Sequence, residues 1–157
     1  MNIDDPVVRA ILQRSMVSRI ATLSRNGRPS INPLYFVSLN DQIWLSTDDW
    51  TLAARNVKAD PRVSILFEVE REPRDRRVLR ISGPASLRTD PEALRPFNVR
   101  VALKYLLTPG GIRNNLRHIW QHRFVRNYHA QNAKKGRPCV IVVIPERVEF
   151  LTAEQFG

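Results

Sequence analysis

The 157-residue sequence contains a single cysteine, Cys139, so no disulfide can form within the chain. That favours a reducing compartment. The longest uninterrupted apolar run, Cys139-Val140-Ile141-Val142-Val143-Ile144, is far shorter than the roughly 20 residues of a membrane-spanning helix. Its pattern is that of a buried strand, in which Cys139 is a small core residue. Met1 to Pro6 is acidic and has neither the basic segment nor the apolar core of a secretory signal. These absences predict a cytoplasmic protein with no membrane segment. No internal repeat and no low-complexity segment is present.

Acidic residues are missing from one long stretch. Between Ala93 and Pro145 there is no Asp or Glu, while ten Lys and Arg occur there, equal to the whole net charge of +10. Residues 1–70 hold eight basic and eight acidic residues, which cancel. A one-sided field of this kind steers anions toward the chain without specifying which anion.

The elements follow from caps, turns and periodicity. Asp4-Asp5-Pro6 predicts a helix start, with Val7, Val8, Ile11 and Leu12 as its apolar face. Ser18 to Arg25 predicts a strand, and Asn26-Gly27 a type I′ hairpin turn with positive φ at both residues. Pro29 to Ser38 is expected to return as one strand, followed after Asn40-Asp41 by a third over Gln42 to Thr47. A short helix is expected over Thr51 to Ala59, ended by Asp60-Pro61. Alternation predicts a half-buried strand over Arg62 to Glu70. A further strand over Arg77 to Leu87 carries Gly83-Pro84, which predicts a bulge or bend. Asp90-Pro91 starts a helix that Thr108-Pro109-Gly110-Gly111 stops, and a second helix follows over about 112–131. Cys139 to Ile144 and Val148 to Leu151 are the last strands. Strands, a helical pair and strands again indicate an α+β protein.

The second helix of that pair carries His118, His122 and His129 on one face, with Arg113, Arg117, Arg123 and Arg126. No Glu completes a zinc-protease motif, so a solvated polar face is expected and no metal site. Its arginines could meet an acidic cofactor tail, nucleic acid or water alone. No recognised nucleic-acid motif accompanies them, so a nucleic-acid partner is not expected.

Several motifs together resemble a known family. Arg19-Ile20-Ala21-Thr22-Leu23, Asn26-Gly27-Arg28-Pro29, Asn32-Pro33-Leu34-Tyr35-Phe36 and Ile43-Trp44-Leu45-Ser46-Thr47 resemble the opening hairpins of the FMN-binding split barrels, the pyridoxamine 5'-phosphate oxidase-like superfamily. Ala54-Arg55-Asn56-Val57 and Asp60-Pro61-Arg62-Val63-Ser64 resemble that superfamily's helix-to-strand joint. The likeness is specific over residues 17–68, weaker over 77–88 and 138–151, and silent over 90–133. It implies a six-stranded antiparallel Greek-key split β-barrel with a short helix after strand 3. An inserted helical pair, about 90–133, would precede the last strands within one domain, 1–157.

The resemblance further implies a homodimer with cofactors in clefts between the subunits. The cofactor would be FMN, with the deazaflavin coenzyme F-420 or haem as alternatives. Asn32, Pro33 and Tyr35 would carry the ring, and Arg19, Ser46, Thr47, Thr51 and Arg55 would surround the phosphate. The sequence departs from the family at Leu52 and Ala53, where basic residues are usual, and places Asp48 and Asp49 just before them. Val148 to Gly157 does not resemble the arginine-bearing closing segment of true pyridoxine-phosphate oxidases, so that particular activity is not expected. The expected activity is a flavin- or deazaflavin-dependent oxidoreductase acting on a small molecule, with no side chain singled out as catalytic. The alternative is a non-enzymatic dimer that binds an anionic ligand, haem or nucleic acid through the basic region 93–137.

Overall fold

In the computed structural model the described residues are 1–69, 77–106 and 136–151. The second helix of the expected pair, its histidines and its arginines lie outside them, as does the expected stop at Thr108–Gly111. The chain order is α1 (Pro6–Arg14), β1 (Ser18–Leu23), β2 (Pro29–Leu34), β3 (Phe36–Leu39), β4 (Gln42–Asp48), α2 (Leu52–Ala59), β5 (Arg62–Glu68), β6 (Val78–Arg88), α3 (Pro91–Leu106), β7 (Pro138–Val143) and β8 (Arg147–Leu151).

The helix starts are chemically explicit. The Asp5 carboxylate accepts the Val7 N–H ahead of Pro6. Thr51 caps α2, its hydroxyl accepting from the Ala54 N–H at 3.3 Å. The Asp90 carboxylate accepts from the Ala93 N–H at 3.0 Å. Each cap satisfies a donor that helix geometry leaves free.

All strand pairs are antiparallel, in the order β2-β1-β5-β6-β7-β4-β3, with β8 added to β6. Both ends of this order belong to one chain segment, because β2 and β3 are separated only by Tyr35. The expected single strand over Pro29–Ser38 is therefore two strands. The break lets one segment pair with β1 on one side and β4 on the other, so the sheet curls into a split barrel. Strand β6 does the same at its middle. Val78–Pro84 pairs with β5, and Ala85–Arg88 pairs with β7. The transfer falls at Gly83-Pro84, where a bend was expected. A Cβ on Gly83 would lie 2.0 Å from the Ile144 carbonyl oxygen, so this crossing requires glycine.

The fold is thus α+β and of the split-barrel class, with eight strands among the described residues rather than six. Relative to the six of the resemblance, the additional ones are the second half of the segment broken at Tyr35 and the terminal β8, the latter already expected over Val148 to Leu151.

Two turns exchange the roles read from the sequence. Asn40 and Asp41 both have positive φ and form the two-residue turn between β3 and β4. At Asn26-Gly27 only Gly27 does, at φ 73°. There the Gly27 N–H donates to the Ser24 carbonyl and the Ser24 N–H to the Arg28 carbonyl, a three-residue loop with glycine in the left-handed position.

Alternation along the strands sends Ile20, Ile43, Leu45, Ile65, Phe67, Leu79, Ile81, Ile141 and Val143 into the barrel, joined by Val8 and Ile11 of α1. Each such side chain contributes roughly 1.5–3 kcal/mol on burial. A second cluster on the outer face joins Trp44, Val37, Val140 and Val142 to Ala93 and Phe97 of α3. Trp44 is therefore a core residue beneath α3. Cys139 is buried too, its thiol pushed up to about 11 chiefly by that burial, which is the state of an inert core thiol.

Candidate functional site

Strand β2 is an edge strand of the sheet order, and its two faces differ sharply. Ile31, Pro33 and Tyr35 point outward, Ile31 being 64% and Tyr35 53% exposed. Ser30, Asn32 and Leu34 occupy the other face and are half-buried. Inside that face lies a closed polar triad. The Asn56 Nδ2 of α2 donates to the Thr22 and Ser30 hydroxyls at 3.0 Å each, and those hydroxyls bond one another at 2.9 Å. Two residues farther along β2, the Asn32 Oδ1 is buried without a hydrogen-bond partner among the described residues. A buried acceptor left open in this way is costly, and invites a donor from outside the chain.

The start of α2 stands at the end of β4. The Thr47 and Thr51 hydroxyls meet at 2.7 Å, and the Thr51 hydroxyl donates to the Asp48 carbonyl. Arg55 lies one helical turn beyond Thr51 on the same face and is exposed, with no ion pair to a described residue. The Ser46 N–H donates to the Tyr35 carbonyl, which ties the Tyr35 break to this helix start. The Ser46 side chain itself lies on the opposite face of β4 from Thr47. Tyr35 also takes an edge-on contact from the Tyr105 ring of α3, with centroids 4.9 Å apart. The Tyr105 hydroxyl shares its one hydrogen between the Met16 and Phe36 carbonyls and accepts the Phe36 N–H, and burial pushes its phenol upward.

Thr47, Thr51 and Arg55 therefore converge, with Tyr35 and Ser46 joined to them through the backbone and Asn32 and Pro33 just upstream. Arg19 does not join them. It projects from β1 on the face opposite Thr22, the residue that touches α2, and pairs with Glu68 at 2.7 Å. Its odd-numbered place in the strand already carried that information. The two positions that lack a family cation also differ. Leu52 is 44% exposed and points out, whereas Ala53 is buried, so only Leu52 could present a charge.

One cation that sequence reasoning missed arrives from far away. The Arg137 N–H donates to the Asp49 carboxylate and the Arg137 carbonyl accepts the Asp49 N–H, both at 3.0 Å, across 88 positions. Gly136 beside it fits because a Cβ there would lie 2.2 Å from the Asp49 carboxylate. The Arg137 side chain leaves this lock exposed, near the start of α2.

These residues fit a group of the FMN or deazaflavin kind. The Asn32 Oδ1 can accept a ring N–H, the first turn of α2 offers free N–H groups to an anion, and Arg55 and Arg137 supply charge. The Asp49 carboxylate opposes a phosphate, but it is already engaged by the Arg137 N–H. Among the described residues, no three His, Cys, Asp or Glu side chains gather as a metal site, and no helix is long and apolar enough to cross a membrane.

A pyridoxamine 5'-phosphate oxidase family model matches residues 5–152. The chain belongs to that family. No functionally curated protein matches it. Among solved structures, it is similar to the family-related FMN-binding protein of Nostoc punctiforme, at 20% identity and TM-score 0.60, covering 96% of this chain and 84% of that one. It is similar to an F-420 reductase at 21% identity and TM-score 0.61, covering 90% and 94%. It is also similar to HutZ, the haem storage protein of Vibrio cholerae, at 20% identity and TM-score 0.64, covering 97% and 95%. At these identities the likeness concerns the fold that the family shares, not a common ligand.

Proposed function

We propose that this family member is an oxidoreductase that uses FMN or the deazaflavin coenzyme F-420 on a small molecule. The observation that carries this reading is the open Asn32 Oδ1 beside the exposed Pro33–Tyr35 strip, next to a helix start lined by Thr47, Thr51 and Arg55. The cofactor supplies hydride or electron transfer; the chain supplies its position and the surrounding charge. Asn32 accepts from the ring, Tyr35 packs beside it, and Thr47, Thr51 and Arg55 surround the phosphate, with Ser46 holding Tyr35 through its backbone N–H and Arg137 in place of the cation absent at Leu52. Arg19 is a brace for β1 and β5 in this arrangement. The outward row Ile31, Pro33 and Tyr35 is an apolar strip on an edge strand, which a second copy of the chain would cover to complete the cleft. The unit is one split-barrel domain over 1–157, working in the cytoplasm.

A second reading is favoured by Asp48 and Asp49 at the helix start. In it the chain is a non-enzymatic dimer holding haem or another anion through the basic region 93–137.

Titration with FMN and F-420, followed by quenching of cofactor fluorescence, separates the two readings. One of them is expected to saturate at one per chain. Arg55→Ala removes a charge-assisted hydrogen bond worth about 1.5–3 kcal/mol, so it should weaken binding by about tenfold to a hundredfold. Leu52→Lys should tighten it. Binding of neither cofactor, with haem bound instead, would establish the second reading.

A further inference from the structure

The start of α2 is fastened to a distant part of the chain by the register of the barrel itself. Strands β4 and β7 pair Thr47 with Cys139 and Asp48 with Pro138, and the same register carried one step farther sets Asp49 opposite Arg137. The Asp49 N–H donates to the Arg137 carbonyl, as a ladder requires. The return bond, from the Arg137 N–H, goes to the Asp49 carboxylate in place of its carbonyl, at 3.0 Å. The backbone then turns at Asp49, and the Thr51 N–H and hydroxyl both donate to the Asp48 carbonyl. Arg137 is thereby fixed against Asp49, two residues before Thr51, the cap of α2.

Alternation gives that position a side. Ile43 and Leu45 of β4 and Ile141 and Val143 of β7 face the barrel core, and Thr47 and Cys139 continue that face. Arg137, two residues before Cys139, falls on the same side of the sheet as Thr47, whose hydroxyl meets that of Thr51 at 2.7 Å. Gly136 permits the close approach, since a Cβ there would also strike the Trp50 ring, at 2.6 Å. The Arg137 side chain is exposed. An arginine on a loose backbone gives up much freedom when it meets an anion. One whose backbone is already held at both its N–H and its carbonyl gives up less.

We propose that Asp49 is a positioning residue: its carboxylate holds the Arg137 backbone so that the Arg137 guanidinium meets the cofactor phosphate at the start of α2. Its loss then weakens phosphate binding, although it removes a negative charge. This role rests on the reading of the site as one for FMN or F-420. It makes an expectation opposite to that of plain repulsion. If Asp49 only repelled the phosphate, every neutral replacement would tighten binding. If it positions Arg137, the outcome depends on whether the replacement still accepts the Arg137 N–H. Asparagine keeps an acceptor oxygen there without the charge, whereas alanine has neither.

Fluorescence titration of the full chain with FMN and F-420, each beside its phosphate-free counterpart (riboflavin or the deazaflavin alcohol), tests it. Asp49→Ala and Arg137→Ala should each weaken the cofactor that binds by about tenfold. The double variant should be no weaker than either alone, because both act through one guanidinium. Asp49→Asn should bind at least as tightly as wild type. The phosphate-free counterpart should bind every variant as it binds wild type, which a general loosening of the site would not allow. Circular dichroism checks the fold. If Asp49→Ala does not fold, Arg137→Ala, whose backbone keeps the bond to Asp49, still tests the guanidinium. Cofactor binding left unchanged by Arg137→Ala, or unchanged or tightened by Asp49→Ala, would overturn the proposal while leaving the cofactor site standing. Additive losses in the double variant, or an equal loss of the phosphate-free counterpart, would do the same. Binding of neither cofactor by wild type would overturn the reading of the site, and this role of Asp49 with it.

Discussion

Two asparagines on neighbouring parts of one polar seam are treated in opposite ways. Asn56 is 4% exposed, and its amide donates to Thr22 and Ser30, which bond each other. Asn32 faces the same side of β2 as Ser30, two residues along, and holds a buried oxygen that nothing among the described residues satisfies. The first arrangement is closed and locks α2 against β1 and β2. The second is open and lies beside the exposed Tyr35. Within a few ångströms the barrel thus passes from a part that must hold itself together to a part that is completed from outside.

The comparison breaks most visibly at Asn56. Asn56→Ala removes two hydrogen bonds from a buried triad, and a loss of about 2 kcal/mol in unfolding free energy is expected. Urea unfolding should show a lower midpoint with an unchanged slope. A variant as stable as wild type would mean that the triad does not hold α2 in place.

Lys104 extends the comparison to a partly satisfied group. Burial holds its amine at about 7, below the ordinary 10.5, while the Phe36 ring and the Leu12 carbonyl favour its charged form. Among the described residues, the other charged groups lining the cleft that Lys104 borders, between α1, α3 and the β3–β4 hairpin, are Arg9, Asp41 and Arg100. Below pH 7 both folded and unfolded chains carry the proton, and this group gives stability no pH dependence. Between about 7 and 10.5 the unfolded chain carries more of it, so stability rises with pH. The slope should approach, and not exceed, about 1.4 kcal/mol per pH unit. Lys104→Met should remove that part of the slope. Cys139, at about 11, is common to both proteins and cancels in their difference. Equal slopes would show that Lys104 keeps its proton throughout.

Much of this arrangement was legible beforehand. Asp5, Thr51 and Asp90 were readable as helix starts because their side chains act on N–H groups two or three residues away. The bend at Gly83-Pro84 was readable because those residue types disfavour a regular ladder. The break at Tyr35 was not, since Leu34 to Val37 has ordinary strand composition and only the partner strands force the chain to change sides. Asn26-Gly27 suits two turn types, and hairpin length chose between them. The cluster Thr47, Thr51 and Arg55 came from the family resemblance and is compact in the structure. Arg19 was read as a neighbour of the phosphate, although strand alternation puts it on the face away from α2, where it pairs with Glu68; Ala53, one of the two positions without the usual family cation, lies on the buried Ala53–Val57 stripe. Arg137 was hidden because its partner Asp49 is 88 positions distant.

The smallest effect on the cofactor-free protein is expected at Asn32, and it gives the most direct test. Asn32→Leu removes an unsatisfied oxygen and keeps the side chain's bulk, so the thermal midpoint without cofactor should stay within a few degrees of wild type. A ligand that binds only the folded chain raises that midpoint in proportion to its affinity. Thermal unfolding of wild type and Asn32→Leu, each with and without saturating FMN and F-420, is therefore the measurement to make. One cofactor should raise the wild-type midpoint clearly and the Asn32→Leu midpoint much less. An equal rise in both proteins, or no rise in either, would contradict the claim that the open end of the seam is where the cofactor binds.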